Sequence, residues 1–154
     1  MKLTAHFTLE ELTASTTAKQ LGITNTPTPE HVNNLSELAQ RILEPLRIAW
    51  GSPIVVTSGY RGFYLNKAVK GSSTSAHCYG LAADIVPANG AMVAFKAFVR
   101  DWLHKSGTAY DQYIDEKNLK GSEWVHVGLR DRKGKQRRQE LKTIDGGKHY
   151  TSLK

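Results

Sequence analysis

Apolar residues in the first third of the chain recur at helical spacing. Thr8, followed three residues later by Glu11, makes a capping box that predicts a short helix from Leu9 to about Ala14. The stretch from Ser15 to Thr28 is rich in threonine and turn formers and reads as a loop. Thr28 before Pro29 then offers an N-cap with proline in the first turn. From there Val32, Leu35, Leu38, Ala39, Ile42, Leu46 and Ala49 mark one buried stripe. Pro45 lies within that stripe. Its missing donor and its ring predict a kink, or the end of regular hydrogen bonding, near Arg41.

Past Gly51-Ser52-Pro53 the pattern changes. Ile54-Val55-Val56-Thr57 is a β-branched run suited to a strand, and Leu81 to Val86 is a second, reached through a polar loop from Lys70 to Ser75. Met92, Phe95, Val99 and Trp102 predict an amphipathic helix to about Lys105, and Tyr110–Ile114 and Trp124–Leu129 complete the strands. Helices first, then strands around one further helix, predict an α+β domain with a small, largely antiparallel sheet and helices packed on it.

Composition narrows the class without naming a function. The 154 residues include 40% hydrophobic and 23% charged side chains, as in ordinary globular domains, and the single cysteine excludes an intrachain disulfide. The first residues hold no apolar run of signal-peptide length and no segment approaches a membrane span, so synthesis in the cytoplasm is expected. The net charge of +7 suggests an anionic partner, but its distribution is uneven. Residues 1–129 carry 12 Lys+Arg against 11 Asp+Glu, whereas residues 130–154 carry 9 against 3. A near-neutral body followed by a basic C-terminal extension argues against a fold-wide nucleic-acid-binding face.

The densest cluster of chemically unusual residues runs from Ser75 to Asp84. Asp84 stands inside an apolar strand, where aspartate is disfavoured unless it is paired or bound to a cation. His77 ends the preceding loop, and His126 lies in the Trp124–Val127 strand. Two histidines and one carboxylate, with a position left for water, satisfy a catalytic zinc site. On residue types alone, an arginine partner for Asp84 and a packed core histidine at 126 explain the same residues.

Ser75-x-His77, with Gly80, Ala82 and Asp84 behind it, resembles the S-x-H-x-x-G-x-A-x-D motif of the M15 zinc peptidases. That group includes D-Ala-D-Ala carboxypeptidases, vancomycin-resistance dipeptidases and phage L-Ala-D-Glu endopeptidases. Thr57-Ser58-Gly59-Tyr60-Arg61 is similar to the family's S-G-Y-R segment, and Trp124-Val125-His126-Val127 to its second histidine strand. Ser15-x-Thr17-Ala18 and Gly22-Ile23-x-Asn25-x-Pro27 are similar to its short, single-domain branch.

The resemblance implies a hedgehog/D-Ala-D-Ala peptidase-like fold over residues 1–129, with residues 130–154 as an appended basic segment. It implies one Zn2+ per chain on His77, Asp84 and His126, Glu123 as catalytic base in an E-x-x-H position, and Arg61 on the substrate near the scissile carbonyl. Ser75 either contacts substrate or caps the turn that delivers His77. Glu123 and His126 point to opposite faces of a regular strand, so Glu123 needs a turn or bulge, and Asp111 is the reserve base. The implied substrate is a peptidoglycan stem peptide, cut by a carboxypeptidase or an endopeptidase. A phage or prophage lysis enzyme released to the wall, acting as a monomer, is the expected context. The basic segment either holds anionic wall polymers or is a solvated extension. The rival reading is a zinc-binding module without catalysis. His6, His31, His104 and His149 have no recognisable ligand partners and are expected to be solvated.

Overall fold

A computed structural model describes residues 1–154 as an α+β fold built on one six-stranded sheet. The capping box forms as the sequence predicts: Thr8 accepts from the Glu11 backbone and Glu11 reaches back to the Thr8 amide, opening α1 (Leu9–Thr13). The expected loop after it contains a helix, α2 (Thr16–Leu21), because Ser15 caps the Ala18 amide and Gly22 closes the other end at φ +66. Threonine-rich composition hides that pair of caps.

The long apolar stripe forms α3 (Pro29–Leu38), a widened turn over Ala39–Leu43, and α4 (Glu44–Trp50) without a break in the chain direction. Regular bonding is interrupted where Pro45 predicts it. The Glu44 amide bonds to the Ala39 carbonyl five residues back, and this wider turn accommodates the proline. β1 (Ile54–Ser58) and the short helix α5 (Phe63–Ala68) follow, then a 3-10 turn over Ala76–Tyr79 and β2 (Ala82–Pro87). α6 (Met92–Lys105), β3 (Gln112–Lys117) and β4 (Glu123–Gly128) come next.

β3 runs further than predicted, because Asp115 and Glu116 make its second half look unlike a strand. Each acid has its own place. Asp115 pairs with Lys96 of α6 at 2.6 Å, and Glu116 faces the other side of the sheet.

Strand order is β1-β2-β4-β3, continued by two strands from the basic segment. β5 (Gln139–Thr143) lies parallel to β3, and β6 (Thr151–Ser152) is antiparallel to β5. The segment after residue 129 is thus woven into the same sheet. One sheet face, carrying Ala83, Ile85, Tyr113, Val125 and Val127, packs with Leu35, Leu38, Ile42, Phe95 and Val99 in the core. The alternate residues, including Asp84, Ile114, Glu116, Trp124 and His126, line a cleft on the opposite face. No helix is long and apolar enough to cross a membrane.

Glu140 ties β5 to α6. Its buried carboxylate accepts from Arg100 at 2.6 Å, His104 at 2.8 Å and the Tyr110 hydroxyl at 3.1 Å, and Lys154 lies 3.2 Å away. Burial alone would raise its pKa; the hydrogen bonds from Arg100, His104 and Lys154 outweigh it and hold the group at about 2. A depressed folded-state pKa contributes stability above the ordinary carboxylate range, and this is lost as pH falls toward about 2. Glu140→Ala is expected to cost about 3 kcal/mol at neutral pH, with the penalty shrinking on acidification, as read from urea unfolding at two pH values. An equal penalty at both would refute this account. His104 is exposed, as expected, but also paired, as are His6 with Glu44 and His149 with Asp145, while His31 meets the Tyr60 hydroxyl.

Candidate metal centre

Antiparallel pairing sets Asp84 of β2 directly opposite His126 of β4, which places both side chains on the cleft face. His77 arrives from the 3-10 turn. Ser75 caps that turn by accepting the His77 amide, and Gly80 ends it at φ +71. A Cβ at Gly80 would stand 2.7 Å from the His31 carbonyl oxygen, so only glycine lets the turn lie against α3. His77, Asp84 and His126 are all buried, and their ligand atoms fall within 4.8 Å of one another.

The His77 ring is oriented by Gly59, whose carbonyl accepts from Nδ1 at 2.7 Å. A carbonyl can only accept, so Nδ1 carries the proton and Nε2 of the neutral ring presents a lone pair. That lone pair faces Asp84 Oδ1 at 3.3 Å, and His126 Nδ1 lies 3.1 Å from the same oxygen. Metal–ligand distances of about 2.0–2.1 Å in a tetrahedron give ligand–ligand edges of roughly 3.3–3.4 Å. The donor set therefore fits a divalent cation such as zinc. The remaining nitrogen of His126, Nε2, is buried with no partner in the chain, so a ligand at Nδ1 and a proton at Nε2 conflict with no other bond.

The electrostatics agree with that donor set. Burial is the largest influence on His77 and lowers its pKa, keeping the imidazole neutral as ligation requires. Burial also acts upward on Asp84, but the two imidazoles together hold the carboxylate well below its usual range. For His126 burial acts downward and is outweighed by the Asp84 hydrogen bond, with the Asp84 and Glu116 charges adding to it, so its pKa rises.

Around the three candidate donors the cleft has a volume of about 860 Å³, within the range of sites that enclose a small ligand. Arg61 lines it. Its amide bonds to the His77 carbonyl at 3.0 Å and its guanidinium reaches the Ser75 hydroxyl at 3.4 Å, while the buried Nε has no partner. No carboxylate lies within ion-pair distance of Arg61, which leaves it free for a ligand. Ser75 thus both caps the turn and touches Arg61.

Neither predicted base stands free beside the candidate metal donors, although Asp111 lines the same cleft. Glu123 occupies the face of β4 opposite His126, where it pairs with Lys96 at 2.6 Å, because no bulge interrupts the strand. Asp111 is buried beneath Arg137, which binds it through Nε and Nη2 at 2.8 Å each and through its own amide at 3.0 Å. Glu116 is a cleft carboxylate that no basic side chain pairs. It sits opposite Trp124 in the β3–β4 register, two positions from His126, and accepts from the Trp124 indole. Burial first, then the Asp84 charge, raises its pKa. A hairpin reading of Gln112–Gly128 around the Asn118–Ser122 turn would have found it, since Lys117 opposite Glu123 fixes Glu116 and His126 to one face.

Together the sheet and the His-Asp-His cluster define an α+β domain with a candidate metal site in a ligand-sized cleft. The profile of the peptidase M15 family matches residues 5–127, and the chain belongs to that family. None of the curated proteins compared matches the chain significantly.

Proposed function

We propose that the chain is a zinc-dependent peptidase that hydrolyses peptidoglycan stem peptides, either as a D-Ala-D-Ala carboxypeptidase or as an L-Ala-D-Glu-type endopeptidase. The observation that carries this reading is the convergence, in one cleft, of three candidate metal donors, an arginine without an acidic partner and a carboxylate without a basic one. Zinc held by His77, Asp84 and His126 would supply a Lewis acid that polarises the scissile carbonyl and activates a water. Glu116 takes a proton from the attacking water as the oxygen–carbon bond forms. It returns that proton to the leaving nitrogen as the carbon–nitrogen bond breaks. Arg61 orients the carbonyl and holds the negative charge that develops on its oxygen, which a permanently charged fork of donors suits.

Arg132, Lys133 and Lys135 are exposed and would hold the enzyme near anionic wall polymers, an attraction that weakens as salt rises. A phage or prophage lysis enzyme, acting as a monomer and released to the wall by another protein, fits these features.

Incubation of purified protein with peptidoglycan fragments, with and without chelator, followed by mass analysis, tests the proposal. Zinc-dependent loss of terminal D-Ala would identify a carboxypeptidase, and a cut between L-Ala and the isoglutamate an endopeptidase. Zinc uptake without a product from any fragment would leave a metal-binding module and refute the peptidase.

A further inference from the structure

The family match stops at residue 127, but the cleft does not. Asp131, Arg137, Leu141, Gly146, Gly147 and Tyr150 all line it, together with the metal ligands, Arg61 and Glu116. Parallel pairing with β3 sets Leu141 beside Ile114 on the cleft face, and the chain then turns back over the sheet before β6.

That turn is firmly held. The Gly146 amide donates to the Lys117 carbonyl and the Gly147 amide to the Thr143 hydroxyl, each at 3.0 Å. Asp145 accepts from the Thr143 hydroxyl and from the amides of Lys148 and His149. Gly147 adopts φ +92, and a Cβ there would lie 2.7 Å from the Tyr150 hydroxyl. Glycine at 147 thus allows the tyrosine to lie across the turn, with its ring about half exposed at the cleft wall. Burial first, then the charges of Glu116 and Asp84, pushes the phenol's pKa up, so the hydroxyl stays a donor.

We infer that Tyr150 is a specificity-determining residue of the cleft, its ring a wall for a bound peptide and its hydroxyl a donor to a peptide carbonyl. The inference rests on the peptidase reading for the class of ligand alone. An amphipathic aromatic side chain on a pre-ordered hairpin suits the task, because it offers a large contact area and one directional bond at little entropic cost. Arg137 does not compete for this role, since Asp111 already occupies two of its donors.

The test is a calorimetric titration of the pentapeptide L-Ala-D-Glu-L-Lys-D-Ala-D-Ala into the full-length, zinc-loaded protein carrying Glu116→Gln to halt turnover. Adding Tyr150→Ala is expected to weaken binding about tenfold, and Tyr150→Phe about threefold, with zinc content and melting temperature unchanged. Equal affinity in the Tyr150→Ala protein overturns the inference, as does failure of the parent to bind the peptide. Tyr150→Phe keeps the ring packing, so the hydroxyl's share is measurable even where the alanine variant unfolds. Because the titration reads binding and not turnover, the two proposals fail separately. Cleavage by the wild type with unchanged affinity in Tyr150→Ala refutes the wall and spares the peptidase. Affinity lost in Tyr150→Ala by a chain that cleaves nothing supports the wall and refutes the peptidase.

Discussion

Glu116→Gln is expected to lower kcat on a peptidoglycan fragment about 10²- to 10⁴-fold, the range associated with removing a general acid–base group. Gln keeps the shape of the side chain and can still accept the Trp124 indole hydrogen, so the β3–β4 hairpin should survive intact. Glu116 is also not among the three grouped metal donors, and zinc content should stay near one per chain. The informative control is Glu123→Gln. Glu123 stands in the E-x-x-H position, but its carboxylate faces Lys96 across the sheet from the cleft. That substitution should leave kcat within about twofold, since surface charge changes away from a site have small effects. Inactivity of Glu123→Gln with full activity of Glu116→Gln would overturn the assignment. Measuring kcat separately from KM is essential, because a carboxylate that merely shapes the pocket would act on KM.

The position of Glu123, turned toward Lys96 on the other sheet face, shows where sequence reading reaches its limit. Strand and helix periods, the α1 capping box and the proline signal near Arg41 are local, and each is realised in the structure. The clustering of His77, Asp84 and His126 was legible because each member is conspicuous by itself: a histidine after a glycine- and serine-rich loop, an aspartate in an apolar strand and a histidine in another. Glu116 lacks any such mark. It follows another acid and precedes a lysine, a run that resembles a solvated turn, and only the pairing of β3 with β4 shows which of the two acids faces the cleft.

The basic segment was illegible for a related reason. Its charge count concealed Glu140, whose partners Arg100, His104 and Tyr110 lie 30 to 40 residues earlier. Arg137 likewise draws its meaning from Asp111, 26 residues away. Charge summed along a sequence cannot reveal bonds that close over such loops. What reads as a tail therefore supplies two strands and part of the cleft wall.

Asp84→Asn should abolish both metal retention and turnover. Asp84 Oδ1 is the shared neighbour of both imidazole nitrogens, so it contributes the anion around which the other two donors are arranged. The amide keeps the volume but loses the charge that offsets a divalent cation's desolvation in a buried site. In the wild type, zinc at about a thousand times its dissociation constant should add roughly 4 kcal/mol of apparent stability by mass action, seen as a rise in melting temperature. In Asp84→Asn that rise should vanish, and metal analysis after gel filtration should find far less than one zinc per chain. The wild-type increment should also shrink as pH falls through the histidine range. His126 has a raised pKa, so it must give up its proton before it can bind the ion. An Asp84→Asn protein that keeps both its zinc and the full thermal shift would show that the ion sits elsewhere. The lone pair of His77 Nε2 facing Asp84 would then be left without a cation to reconcile it with the carboxylate.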